Sequence, residues 1–401
     1  WWAGDACIFA DIGQLGEAAG HCVVHDKDCP IPRVDIFVVG TSCKDLSRAN
    51  PSKDNTKLVL DQVSSRGGSA QTFQGFVAYV RQHGPSMIVY ENVDSIDDAI
   101  PQSQQNNLQH LMETMANTGY SGQKLLVDSN QFGLPARRRR LYVVFVKVTN
   151  CVFSFSSRPL EACFDSLRSC PRVQVPWDDE DVKQFLIARQ DKALKSAGRS
   201  QSNSAGSAWI EQHMRYSESA GVRWGQPVPA DLACNDWFDT LTDREKDSLL
   251  LSRHQAPSAG FRNLSQSVGR VHSQSWSPDS GKHVAPTMLP GQLLFVELTR
   301  PARVLLGQEA LIMQGFPARR LLAELRHEID ASHGQSQRKW LTESLMTDLA
   351  GNAMSLPVLL AIWQAALAAF VLREPSAPVT QADVHATLAA LRVVQGGRPM
   401  P

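Results

Sequence analysis

Cys43 is the side chain with the most to offer as a nucleophile. It lies just past the apolar run Val34-Asp35-Ile36-Phe37-Val38-Val39, within Gly40-Thr41-Ser42-Cys43-Lys44-Asp45-Leu46-Ser47. The carboxyl ends of parallel strands are where α/β sheets place reacting groups. A thiol there can attack an electrophilic carbon, although an isolated cysteine is more often a small buried hydrophobe. A second apolar run, Ser86-Met87-Ile88-Val89-Tyr90, leads into Glu91-Asn92-Val93 and sets a carboxylate at the same edge. It reads either as a solvated Glu or as a catalytic acid. A third run, Arg140 to Val146, is preceded by Gln131-Phe132-Gly133-Leu134-Pro135-Ala136-Arg137-Arg138-Arg139. Basic runs are usually solvated faces or targeting signals, but this one abuts a core strand. His21, Cys22, His25 and Cys29 are metal-binding types at a spacing that fits no zinc pattern. They read as ordinary buried or surface residues, and no metal is expected.

These groups need a frame. From Val34 to about Val148, short apolar runs alternate with helical patterns, as parallel βαβ units do. Thr72 to His83 carries Phe73, Phe76, Val77 and Val80 on one helical face, and Leu108 to Thr118 reads as the next helix, ended by Gly119. Residues 151–296 change texture, with Ser-rich and Pro/Gly-rich patches that predict an irregular, loop-rich domain. Helices return at Gly307–Met313, Arg338–Ala350 and Leu356–Leu372, with a last one over Gln381–Val394 before a Gly/Pro tail.

The 401 residues suffice for two or three domains. Lys plus Arg and Asp plus Glu both number 40, so a nucleic-acid partner rests on local runs alone. Those runs are Arg137 to Arg140 and, more weakly, Arg319-Arg320. The eight cysteines include no CxxC pair, which points to a reducing compartment. No uninterrupted apolar stretch reaches 18 residues, so no membrane-spanning helix is expected. The start, Trp1-Trp2-Ala3-Gly4-Asp5, has no leader pattern and no initiator Met, which predicts a piece of a longer chain.

In order, strand–GTSC with Cys43, strand–ENV with Glu91, and Gly133-Leu134-Pro135-Ala136-Arg137-Arg138-Arg139-Arg140–strand resemble motifs IV, VI and VIII of the cytosine-C5 DNA methyltransferases. Arg303-Val304-Leu305-Leu306-Gly307-Gln308-Glu309, with Met313-Gln314-Gly315-Phe316-Pro317, resembles motif IX, and Gly351-Asn352-Ala353-Met354 resembles motif X. Ala10-Asp11-Ile12 is similar to motif III. The resemblance covers residues 9–150 and 297–366, while the region between matches in position only.

The resemblance implies a Rossmann-like class I methyltransferase sheet and an inserted irregular target-recognition domain. Residues 1–150 and 297–372 would then be the two parts of the catalytic domain, 151–296 the recognition domain, and 373–401 a C-terminal helix and tail. It further implies that the Cys43 thiolate adds to C6 of a cytosine flipped out of duplex DNA. Glu91 would hold the Watson–Crick edge and assist protonation at N3, with Arg138 and Arg140 holding Glu91 and the base. C5 would then take a methyl group from S-adenosylmethionine. Ser42, Asn92, Val93 and Arg303 are the implied substrate contacts; Asp11, Ile12, Asn352 and Ala353 are the implied cofactor contacts. In the recognition region, Arg223, Trp224, Arg262 and Trp276 could reach phosphates or bases. A DNA substrate implies the nucleus in a eukaryote and the cytoplasm otherwise.

Three departures qualify the match. Ser42-Cys43-Lys44 stands where the family has Pro-Cys-Gln, and Ala136 replaces a Gln. The Gly-rich motif I and the acidic motif II have no counterpart. Only residues 14–33 separate Gly13 from the strand before Cys43, too few for two βα units of about 30 residues each. The first βα units are therefore expected upstream of Trp1, with weak cofactor binding by the chain alone. A tRNA-type RNA methyltransferase and a non-catalytic nucleic-acid-binding remnant are the competing readings.

Overall fold

The computed structural model describes residues 6–372 and 380–382, apart from 51, 55, 63–67, 102, 154–159, 166, 169–179, 198–206, 226, 272–275, 278–281 and 325–341. The expected helix Gln381–Val394, the tail and Trp1-Trp2 lie almost wholly outside the described residues, as does the side chain of Trp276. Two compact units divide the chain. One comprises Trp1–Asp128, Arg139–Ser169 and Val358–Pro401; the other comprises Ser129–Arg138 and Cys170–Pro357.

The first unit opens with a small antiparallel hairpin of β1 (Ala19–Cys22) and β2 (Lys27–Pro30). Asp26 in its turn has φ 49°, the left-handed region that Asp tolerates better than most residues. Next come β3 (Ile36–Gly40), α1 (Ser69–His83), β4 (Met87–Val93), α2 (Asn107–Ala116), β5 (Tyr120–Asp128) and β6 (Arg139–Lys147). The sheet order is β3-β4-β6-β5. β3 and β4 are parallel, as a crossover through α1 requires.

β6 departs from the all-parallel expectation. It inserts between β4 and β5 and runs antiparallel to both. No long helix separates β5 from β6, only residues 129–138, so the chain has no crossover with which to re-enter in the same direction. β5 itself escaped the reading. Its Gly122 and Lys124 interrupt the apolar run, although Tyr120, Leu125 and Val127 are buried.

The core lies between this sheet and its helices. Phe73, Phe76, Val77 and Val80 of α1, with Leu108, Leu111 and Met115 of α2, cover Ile88, Tyr90, Leu141, Val143 and Phe145. Each such side chain contributes about 1.5–3 kcal/mol on burial. All seven residues of β4 are buried, which is why the strand reads as a continuous apolar run broken only by Glu91-Asn92.

In the second unit, Leu294–Val296 pairs antiparallel with Phe261–Asn263 on one side and Arg303–Val304 on the other. The region expected to be irregular carries helices at Glu180–Ala197, Ser207–Ser219 and Asp243–Gln255. The last is capped reciprocally by Thr242 and Glu245. Its sequence, Asp-Arg-Glu-Lys-Asp-Ser-Leu-Leu-Leu-Ser-Arg-His-Gln, bunches its apolar residues instead of spacing them, so the 3.6-residue signal is weak.

Near the end, helices run over Glu343–Asn352 and Leu356–Ala369, followed by Phe370–Leu372, which pairs with Cys151–Phe153. Thr342 caps the first of these, and residues 338–341 of the expected helix are not described. Taken together, Glu343–Ala369 is long and apolar enough to cross a membrane by length and composition. The stretch is not an uninterrupted apolar run, since it contains Asp348 and Asn352. The backbone is extended at Ala353 between the two helices, and Ala361, Ile362, Ala365 and Ala366 are buried.

Candidate active site

The loop after β3 carries the thiol. Cys43 is half-buried against the core, and its carbonyl accepts from the N–H of Leu46 (3.1 Å) and Ser47 (2.9 Å), closing a turn around it. Both flanks are tied to the start of α1. Ser42 N–H donates to Thr72 Oγ1 (3.0 Å), Asp45 N–H donates to Ser69 Oγ (3.1 Å), and Asp45 Oδ2 accepts from Ser69 N–H at 2.8 Å. Side chains from the first helical turn thus replace the solvent that a free loop would use.

Beneath the loop, Thr41, Tyr90 and Asn92 form a buried polar triangle. Thr41 Oγ1 and the Tyr90 hydroxyl are 2.7 Å apart, and Asn92 Nδ2 donates to both, at 3.0 and 3.1 Å. Burial pushes the Tyr90 phenol up to about 12, outweighing its hydrogen bonds to Thr41 and Asn92. The hydroxyl therefore stays protonated and joins the two strands as a neutral link.

Glu91 sits one residue along. Gly40 pairs in register with Glu91, so the carboxylate emerges at the same sheet edge as the Cys43 loop. The residue is only 8% exposed. Nε of Arg140 lies 3.2 Å from Glu91 Oε1, an ion pair between two largely buried side chains. The contact is not aligned as a hydrogen bond, and Oε1 has no hydrogen-bond partner among the described residues. A carboxylate oxygen removed from water with accepting capacity to spare is poised for a donor from outside the protein.

A group of ion pairs fastens the loop further along. Arg48 reaches Asp94 (3.0 Å) and grips Asp98 through two nitrogens, while Lys53 lies 3.3 Å from Asp98. Ser95 Oγ donates to the Leu46 carbonyl at 2.7 Å. The Arg48 hydrogen bond, with help from Lys53, holds the Asp98 carboxyl below its usual range, and the same pairing raises Arg48.

The sequence-implied residues fall in both units. Arg138 belongs to the second unit and is buried there, where Nη1 donates to the carbonyls of Met288 (3.4 Å) and Gly351 (3.3 Å). Asn92 is 1% exposed and committed to Thr41 and Tyr90, and Val93 belongs to the core. Ser42 remains half-buried beside Cys43. Arg303 makes a two-pronged buried pair with Glu309 at 2.9 and 2.6 Å within the second unit, a fastening of that unit.

The implied cofactor residues fall in both units. Asp11 caps the short turn Ile12–Gly16, its Oδ1 accepting from Gly13 N–H at 2.8 Å. Asn352 ends its helix, donating to the Asp348 carbonyl, with Ala353 after it. Of the recognition candidates, Arg262 is fully buried against Glu297, Ser252 and the Ala256 carbonyl.

Sequence reasoning missed Thr41, Tyr90, Ser69 and Thr72. The signal lay in the alternation of Tyr90 and Asn92, which must share one face of β4.

The spacing of His21, Cys22, His25 and Cys29 also concealed an arrangement. His21 turns out to the surface, 3.5 Å from Asp26, and Cys7 takes its place in a cluster with Cys22, His25 and Cys29.

Comparison with known proteins places this site in context. A family model described as C-5 cytosine-specific DNA methylase matches residues 23–366. The DNA (cytosine-5-)-methyltransferase DMT5 of Cryptococcus neoformans is 23% identical over 381 residues, covering 88% of this chain and 14% of that protein. The protein of the same name from Verticillium dahliae is 22% identical over 420 residues, covering 88% and 16%. The chain thus spans about a seventh of these relatives. The S. pombe Dnmt2 methyltransferase structure aligns with a TM-score of 0.35 at 14% identity, over 83% of this chain and 78% of that one. With its residues 23–366 matched by that model, the chain belongs to the C-5 cytosine-specific DNA methylase family.

Proposed function

We propose that this chain carries the base-activating centre of a DNA cytosine-C5 methyltransferase, with Cys43 as nucleophile, Glu91 as the group that binds and protonates the base, and Arg140 as the cation that orients Glu91. The observation that carries this reading is the buried Glu91 carboxylate, whose Oε1 lacks a hydrogen-bond partner among the described residues, beside Arg140 and at the same sheet edge as Cys43.

Each residue has a definable task. The Cys43 thiolate forms a bond to C6, and the electron pair of the C5–C6 double bond moves into the ring. Glu91, having taken up a proton from solvent as the base enters, passes it to N3 and neutralises the charge that develops there, returning to a carboxylate. Arg140 keeps the carboxylate at its station while the charge shifts. The activated C5 can then accept a methyl group. Release requires loss of the C5 proton and departure of the thiolate. A cytosine stacked in a duplex cannot reach a half-buried thiol, so the base must be flipped out.

S-adenosylmethionine is the methyl donor this reading calls for. The residues present fit only part of such a molecule. Asp11 is engaged as a helix cap, and among the described residues no strand runs straight into a Gly-rich turn.

Duplex DNA containing 5-azacytosine tests the proposal, because addition at C6 traps the enzyme. A covalent adduct on DNA that vanishes in Cys43→Ala is expected. An adduct on RNA alone would move the substrate class to RNA. DNA binding without any adduct would leave a binding module and sink the catalytic reading.

A further inference from the structure

The four ligand atoms of Cys7, Cys22, His25 and Cys29 all lie within 4.8 Å of one another. His25 Nδ1 is 3.6 Å from Cys7 Sγ, 3.3 Å from Cys22 Sγ and 3.5 Å from Cys29 Sγ. One ring nitrogen has either one proton or one lone pair to offer, so it satisfies one thiol at a time. Three sulfurs at nearly equal distance from it are not explained by hydrogen bonding. They are explained by a common centre. With zinc–sulfur bonds of about 2.3 Å and zinc–nitrogen bonds of about 2.0 Å, a tetrahedron has N···S edges of about 3.5 Å. The three separations bracket that value.

We propose that Cys7, Cys22, His25 and Cys29 bind one zinc ion in a closed structural site. Four protein ligands leave no open position for water or substrate, which is the structural type of centre. Three thiolates and an imidazole also favour zinc over the oxygen-seeking cations.

The position of the cluster explains what the ion would do. Cys22 and Cys29 lie on β1 and β2, His25 lies in the turn between them, and Cys7 comes from the incoming strand segment. That segment is already stitched to the hairpin: Phe9 bridges Cys22, Val23 N–H donates to the Ile8 carbonyl at 2.7 Å, and Ile8 N–H points at Cys22 Sγ at 3.4 Å. Within β1, β2 and their turn, Cys22 and Cys29 are the only buried side chains. A two-stranded hairpin with so little apolar interior is marginal in water, so metal binding would supply its folding free energy. The ion would fix residues 7–30 as one piece and thereby anchor Asp11, four residues after Cys7. Disulfide pairing is the competing chemistry, but three thiols converging on one imidazole cannot all pair.

The test is metal content of the purified chain. One zinc per chain is expected by elemental mass spectrometry, dropping to near zero in Cys22→Ser and Cys29→Ser, and unchanged in His21→Ala. Should the serine variants fail to fold, stepwise mercurial titration of the wild-type thiols should release one zinc, read with a chromogenic chelator. Cobalt reconstitution should give a thiolate charge-transfer band that loses about one third of its intensity in Cys7→Ser. A folded wild-type chain that takes up neither metal, or a Cys29→Ser variant that keeps its zinc, would overturn the assignment.

Discussion

Nε of Arg140 stands 3.2 Å from Oε1 of Glu91, one step off the register of β4 and β6, in which Glu91 faces Tyr142 and Val93 faces Arg140. The diagonal offset brings the guanidinium beside the carboxylate, and among the described residues that oxygen has no aligned donor. Two residues earlier, Arg138 serves backbone carbonyls of the other unit. Two neighbouring arginines of one basic run therefore have different employments.

Glu91→Gln should keep the fold and lower the rate of adduct formation on 5-azacytosine DNA by about 10²–10⁴-fold, the range for loss of a positioned acid. Arg140→Ala should reduce the same rate and also destabilise the protein by about 1–3 kcal/mol, because it leaves a buried carboxylate without its cation. Urea unfolding separates the two effects.

Tyr90→Phe removes one hydroxyl from the buried triangle and takes one partner each from Thr41 Oγ1 and Asn92 Nδ2, which keep their bond to one another. A loss of about 1–3 kcal/mol is expected. If the triangle positions the Cys43 loop, adduct formation should slow while Cys43 stays titratable by a thiol reagent. An unchanged rate would reduce the triangle to a packing role.

Arg303→Ala breaks a pair whose members are 3% and 1% exposed. Removing one partner of a buried ion pair costs about 3–5 kcal/mol. The expected result is a large fall in thermal stability with DNA affinity per folded molecule unchanged. Weaker DNA binding by folded protein would restore a substrate role for Arg303.

The Asp98 carboxyl is held below its ordinary value by Arg48 and Lys53. Its contribution to stability is present above the unfolded carboxylate value of about 3.9 and is lost as the pH falls through the lower folded value. Melting temperatures should hold level through this contribution down to about pH 4 and fall below it. The fall should be shallower in Asp98→Asn.

Gly75 in α1 lies against the turn that begins at Ile12, and a Cβ there would stand 3.0 Å from the Ile12 backbone. Gly75→Val should cost about 1–3 kcal/mol by overpacking and loosen the Asp11 turn, measurable as faster amide exchange over residues 11–16.

The chemistry-bearing positions were legible because each follows a strand: Cys43 after β3, Glu91 near the end of β4, and the arginines before β6. Strand ends are visible as apolar runs that stop. Direction and pairing were less visible. The antiparallel insertion of β6 depends on where β5 lies, and β5 is interrupted by Gly122 and Lys124. Internal partners were not legible at all. Asn92, Arg138 and Arg303 are each consumed by internal partners that lie 6 to 213 residues away in sequence. The metal cluster escaped for a similar reason, since Cys7 stands 15 positions before Cys22 and only the folded hairpin brings them together.

Tyr90 and Asn92 face one side of β4 while Glu91 faces the other, because strand side chains alternate. The site is therefore written in parity as well as in residue identity. Inserting or deleting a single residue between Met87 and Glu91 would exchange the carboxylate with the scaffold, turning the acid toward Thr41 and the amide toward the base. Length changes in β4 should be far less tolerated than substitutions, whereas the segment between Asn50 and Leu58 can vary in length without touching that parity.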